Sequence, residues 1–136
     1  LDVVARGHSR FRIDGGVQAA PYNVAEVSTL PEATGEAAEQ RTLKAGRLFT
    51  RYVTTLLRMS GEEVESVDIP DDPVAASYLV AAGLQIDLAD KQRLLTLPSA
   101  AERLAAEATL LRRELILLEH LRVAGPAPTA TPFSLN

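Results

Sequence analysis

Apolar positions recur every second residue near the start of the chain and every third or fourth residue further on. The longest helical pattern is SAAERLAAEATLLRRELILLEHLR, residues Ser99–Arg122. It contains no Gly or Pro and is dense in Ala, Leu, Glu and Arg, the strong helix formers. Leu104, Ala108, Leu111, Leu115 and Leu118 make one apolar stripe, and Leu110, Leu117 and Leu121 make a second beside it. Ser99 followed by Glu102 has the form of a capping box, which places the helix start. A helix apolar over so much of its surface is predicted to be the central member of a bundle.

Other helices are predicted around it. Thr34 is a candidate N-cap for a helix running to about Met59, with Ala45, Leu48, Phe49, Tyr52, Val53 and Leu56 on one side. Ser60–Asp72 reads as an acidic loop. Asp72-Pro73 opens a further helix, with aspartate as cap and proline at the first helical position, and Gly83 ends it. Asp87 caps a short helix through Leu95, which Pro98 closes. The first third of the chain reads differently. Leu1–Ala5 is predicted as a strand. Arg10–Asp14 alternates, with Phe11 and Ile13 expected toward the core and Arg10 and Arg12 outward. Asp14-Gly15-Gly16 is expected to be a turn, and Tyr22–Leu30, between Pro21 and Pro31, a further strand. Strands first and helices afterwards predict an α+β fold. The expected division is a β part over 1–33, a helical bundle over 34–123, and a Pro/Ala-rich tail over 124–136 that has no periodicity and reads as extended.

Composition narrows the function classes. At 136 residues, 46% hydrophobic and net charge −4, the chain is an acidic domain of ordinary size, which argues against a general nucleic-acid binder. It has no cysteine, consistent with a cytoplasmic location and excluding disulfides and cysteine metal sites. No apolar run approaches the ~20 residues of a membrane helix. The chain opens on Leu1 with no signal peptide before it, which reads as a fragment or processed product of something longer. Phosphate-loop, dinucleotide and nucleophile-elbow motifs are absent. His8 and His120 stand far apart without metal-ligand spacing. No catalytic residue, cofactor or metal site is therefore expected. Lys44, Arg47, Arg51 and Arg58 share one side of the predicted helix before Met59. That stripe suits an acidic partner, and the plainer alternative is a solvated face neutralised by the acidic loop.

Several short stretches together carry a resemblance. Gly7-x-x-Arg10-Phe11-x-Ile13, Pro21-Tyr22-x-x-Ala25-Glu26-Val27 and Leu30-Pro31-Glu32 resemble successive strand segments of the Lon protease N-terminal, substrate-binding domain. Asp72-Pro73, Ala76–Leu84, Lys91-Gln92-x-Leu94-Leu95, Glu102-Arg103-Leu104 and Leu110–Leu115 follow in the family's order. The resemblance implies part of a PUA-like β-domain followed by a helical bundle ending in a long helix. It implies a non-catalytic module, similar to stand-alone bacterial Lon-domain proteins that lack ATPase and peptidase. Such a module binds unfolded or partly folded polypeptides and serves as an adaptor or regulator of ATP-dependent proteolysis beside a protease. The family's first strands have no counterpart here, so a preceding β segment or a second chain is an expected partner. The alternatives are an RNA-binding PUA-like module or a purely structural interaction bundle. A polypeptide site is expected where Arg10, Phe11, Arg12 and Tyr22 meet Phe49, Arg51 and Tyr52, since aromatics beside arginines offer apolar area with polar handles. The plainer alternative is that these aromatics glue the strands to the bundle.

Overall fold

The computed structural model describes residues 2–124. Two antiparallel strands, β1 (Phe11–Gln18) and β2 (Val24–Thr29), precede four helices: α1 (Ala38–Met59), α2 (Pro73–Gly83), α3 (Leu88–Thr96) and α4 (Ala100–Ala124). The chain is α+β with its strands first. No helix among the described residues is long and apolar enough to cross a membrane.

The hairpin differs from the sequence reading in two places. Residues 2–10 form no strand, so the expected strand at Leu1–Ala5 is absent over its described residues. Asp14-Gly15-Gly16 is not the turn but lies inside β1, where the register shifts on both sides of Gly15. Gly15 and Gly16, at φ 147° and 67°, supply backbone that other residues resist, and β1 continues through the irregularity. The reversal falls later, around Pro21 and Tyr22. The expected Pro/Ala-rich tail lies outside the described residues apart from Ala124, the last residue of α4.

Most helix boundaries follow local chemistry. Asp72 accepts from the Ala75 amide at 2.9 Å, and Asp87 from the Asp90 amide at 2.8 Å. Ser99 Oγ accepts from the Glu102 amide at 3.2 Å. The exception is α1. Its cap is Ala37, in the left-handed region at φ 56° with no side-chain cap, and not Thr34. The Thr34 carbonyl accepts from the Ala101 amide at 2.9 Å, and the Ala33 carbonyl from Ala100 at 2.8 Å. The linker into α1 thus caps α4, leaving none of its first three amides unpaired. This brings Gly35, at φ 83°, so close that a Cβ there would stand 2.7 Å from Ser99 Oγ.

The core is helical. Phe49 and Tyr52 of α1, Val80 of α2, Leu84, and Leu111, Leu115 and Leu118 of α4 form one buried cluster. Leu48, Val53, Leu56, Ile69 and Leu110 pack against it. α4 touches each of the other helices and is the central element, as its apolar girth requires. Gly83 is required for its size: a Cβ there would lie 2.4 Å from Phe49 Cζ.

Candidate functional site

Alternation along β1 separates a polar from an apolar face. Phe11 pairs with Thr29 and Ile13 with Val27 on one face, and Arg12 pairs with Ser28 on the other. On the polar face Asp14 accepts from Arg12 Nε at 2.8 Å and from the Ser28 hydroxyl. The Ser28 bond, aided by that from Arg12, holds the Asp14 carboxyl below its ordinary value. The apolar face is the one expected against the core, and it is open instead. Phe11, Ile13 and Val27 are 58, 59 and 52% exposed. Tyr22 and Val24 are exposed at the turn end. The strands pair extensively with each other, while no strand packs on a helix to a comparable extent.

What fastens the hairpin to the bundle is a polar junction built on Arg10, which the alternation places outward. Arg10 is 6% exposed and lies at the base of β1, where its carbonyl accepts from the Leu30 amide at 2.9 Å. Its Nη1 donates to the carbonyls of Leu95 and Leu97, at 2.9 and 2.7 Å, where α3 ends. Its Nη2 donates to the Pro31 carbonyl at 3.1 Å, and its Nε to Glu32 Oε1 at 2.7 Å. The carbonyls at the end of α3 have no further helical partner, so a guanidinium fork satisfies them well.

Glu32 is the hub. It also accepts from the Tyr78 hydroxyl on α2 and from Arg103 Nη2 on α4, the latter at 3.3 Å. Arg103 is 1% exposed, donates from Nε to Ser77 Oγ at 2.9 Å, and stacks over the Tyr78 ring at 4.4 Å. Partial burial raises the Glu32 carboxyl. The hydrogen bonds from Tyr78 and Arg10 and the charges of Arg10 and Arg103 together outweigh it and hold the group below its ordinary value. Burial first, and then the bond to Glu32, pushes the Tyr78 hydroxyl up. One turn beyond Arg103, Glu107 is fully buried, and neither carboxylate oxygen has a hydrogen-bond partner; Arg103 Nη1 is also unpaired. Burial pushes Glu107 up to about 8, with Arg103 pulling only partly the other way.

The residues expected to form one site are therefore distributed over three places. Phe11, Arg12 and Tyr22 sit on the exposed hairpin, and Arg10 sits in the junction. Phe49 and Tyr52 are buried in the helical core, stacked with ring centroids 6.5 Å apart, and cannot line an open surface. The Tyr52 hydroxyl accepts from the Gln85 amide at 3.2 Å. Arg51 is on the outer side of α1, paired with Glu119 of α4. Sequence reasoning missed the junction formed by Glu32, Ser77, Tyr78, Arg103 and Glu107. One signal was present: Arg103 and Glu107 directly precede Leu104 and Ala108, which puts two opposite charges beside the buried stripe. Among the described residues no group of three or more His, Asp or Glu is arranged to hold a metal ion.

The sequence that builds the hairpin, junction and bundle is similar to that of known proteins. The chain is 32% identical over 117 residues to the Lon protease of Desulfovibrio desulfuricans, covering 84% of this chain and 13% of that one. It is 34% identical over 138 residues to the Lon protease of Phenylobacterium zucineum, covering 98% of this chain and 17% of that one. It is 29% identical over 127 residues to the Lon protease of Brevibacillus choshinensis, covering 92% of this chain and 16% of that one. The chain thus spans less than a fifth of the length of these curated relatives. The family model of the ATP-dependent protease La (LON) substrate-binding domain matches residues 1–113, which takes in the hairpin, the Arg10–Glu32–Arg103 junction and most of α4, and the chain belongs to that family.

Proposed function

We propose that this chain is a non-catalytic polypeptide-binding module that receives unfolded or partly folded segments on the open face of the β1–β2 hairpin, in the service of ATP-dependent proteolysis. The observation that carries the reading is the row Phe11, Ile13 and Val27: three large apolar side chains on one face of the two-stranded sheet, each more than half exposed. Such a row suits a covering polypeptide, be it a bound substrate segment or the preceding β segment that the family resemblance implies. Among the described residues the sheet has only these two strands, and to its outer edges an extended chain can hydrogen-bond through its backbone irrespective of sequence. The Arg10 junction supplies the stiff base that a weak, unspecific site needs. The relatives' names supply the link to proteolysis. Affinity is expected to be roughly micromolar or weaker, because an unfolded ligand loses entropy on ordering.

The test is a titration of the chain with a permanently unfolded polypeptide and with a natively folded one. Saturable binding of the unfolded ligand alone, lost in a Phe11→Ser/Ile13→Ser double variant that keeps its helical signal, supports the assignment. Unchanged binding in that variant moves the site off the hairpin, and indifference to both ligands removes the function.

A further inference from the structure

The outer side of α1 carries a second surface that shares no residue with the hairpin. Its centre is Leu43, which is 64% exposed. On one side of Leu43 lies a cleft of about 400 Å³ between α1 and the end of the acidic loop, with Gly46, Ile69 and Pro70 beneath and Thr42 and Thr50 beside them. Gly46 lets the loop come close, since a Cβ there would already touch Ile69 Cγ2 at 3.4 Å. On the other side lies a cleft of about 430 Å³ reaching α4, lined by Gln40, Lys44, Leu48 and Arg112. Leu43 and Arg47 border both clefts.

The charges around this leucine are unbalanced. Lys44, Arg47 and Arg112 make no ion pair with any described residue, whereas further along the same face Arg51 is neutralised by Glu119. Arg113, the neighbour of Arg112, is held by Asp90 and Glu114. In a chain of net charge −4, an unneutralised cationic cluster about an exposed apolar side chain is a local reversal of sign. Asp71 lines the first cleft, and no carboxylate lines the second. The surface therefore has a direction, with an apolar end over Ile69 and Pro70 and a cationic end toward Arg112.

We propose that this face of α1 binds a short acidic peptide segment containing one large apolar side chain. The apolar side chain enters the cleft over Gly46, Ile69 and Pro70 beside Leu43. The carboxylates lie along Lys44, Arg47 and Arg112, away from Asp71. Charge complementarity selects the acid, and the apolar cleft sets its position. A single-stranded nucleic acid matches only half of this surface. It would satisfy the cations, but no aromatic side chain lines either cleft for bases to stack on.

The experiment is a fluorescence-anisotropy titration of the full chain with a labelled peptide of Asp and Glu flanking one Leu. The comparison ligands are the same peptide with Asn and Gln for the acids, the same peptide with Ser for Leu, and an oligouridylate. The proposal expects the acidic Leu peptide to bind best and to weaken as salt rises. Arg47→Glu and Arg112→Glu, both at exposed positions, should each weaken it by about tenfold or more, and Leu43→Ser should remove the preference for Leu over Ser. The Phe11→Ser/Ile13→Ser variant should bind it normally, which separates this surface from the hairpin site. Equal binding of the amide peptide, no effect of Arg47→Glu, or no saturation with any peptide would overturn the proposal. Tighter binding of the oligouridylate would overturn it in favour of nucleic acid.

Discussion

Arg10 and Glu32 meet at 2.7 Å, Nε to Oε1, and through that contact the hairpin is fixed to three helices at once. The arginine reaches the carbonyls that end α3, and the glutamate reaches Tyr78 on α2 and Arg103 on α4. With so little apolar contact between strands and helices, this junction sets where the Phe11–Ile13–Val27 face points. Arg10 is buried, whereas Glu32 keeps 31% of its side chain open to water. Removing the arginine therefore leaves a partly hydrated carboxylate and the carbonyls of Leu95, Leu97 and Pro31 without their donor. Arg10→Ala is expected to cost about 1–3 kcal/mol, the range for leaving polar partners without their donor. Arg10→Lys should recover little of it, because an ammonium cannot span carbonyls and carboxylate as the guanidinium fork does. Hydrogen exchange provides the check: amides of β1 and β2 should lose protection well before those of α4. Equal loss in both would mean that the hairpin and the bundle unfold as one unit without need of Arg10.

Glu32 and Glu107 give the stability opposite pH dependences. Glu32 is held below its ordinary value of 4.5, so its contribution is present above that pH and is lost as the pH falls beneath it. Glu107 is pushed from 4.5 to about 8. Between those values the folded chain holds a proton that the unfolded chain has released, so stability falls as pH rises across the window and levels off above it. Glu107→Gln keeps the shape of the neutral acid and removes the titration. It should flatten the fall between about pH 5 and 8, leaving the variant more stable than the parent at high pH by roughly a few kcal/mol. Urea midpoints at a series of pH values measure this directly. Parallel curves for parent and variant would mean that Glu107 remains ionised in the fold.

Two glycines are expected to tolerate no side chain, for different reasons. At Gly83 the obstacle is the Phe49 ring, whose Cζ lies 2.4 Å from the place a Cβ would take. Gly83→Ala should cost about 1–3 kcal/mol by forcing core side chains aside. At Gly35 the left-handed backbone adds its own penalty of about 1 kcal/mol to a clash with Ser99. Gly35→Ala should therefore be at least as damaging, although Gly35 lies in a linker. Thermal melts of the two variants test the ranking, and a neutral Gly35→Ala would show that the linker does not hold the start of α4.

The helical half was legible because its signals are local. Asp72, Asp87 and Ser99 cap the helices that their sequences announce, and the stripe from Leu104 to Leu118 is buried as its spacing requires. The hairpin was legible only in part. Alternation in Arg10–Asp14 separates the two faces correctly, but it carries no information about which face is covered. Arg10 and Arg12 have the same parity and opposite fates. Arg12 stays on the polar face with Asp14, while Arg10, just before β1, meets a carbonyl 85 residues away in sequence. No local rule anticipates a partner at that distance. Phe49 and Tyr52 differ: the spacing along α1 put them on its apolar side, and that side is buried in the helical core, which takes them away from the surface site their aromatic character suggested.

α4 offers the last prediction, because it is apolar on two sides and the described residues pack only one of them. Leu111 is fully buried against Phe49, Tyr52 and Val80, whereas Leu117 and Leu121, of the second stripe, are more than half exposed. Leu110, at the head of that stripe, is partly covered by the core. Leu111→Ala is expected to cost about 2–5 kcal/mol, because it removes buried surface and leaves a cavity between helices that cannot fully collapse. Leu117→Ala removes a side chain that already faces water and should change stability by less than about 0.5 kcal/mol. Ser99→Ala should fall between them, at about 1 kcal/mol for the lost cap. Chemical denaturation of the three variants at low protein concentration checks the order. If Leu117→Ala proved as costly as Leu111→Ala, and the cost shrank on dilution, the outer stripe of α4 would be buried against a second copy of the chain.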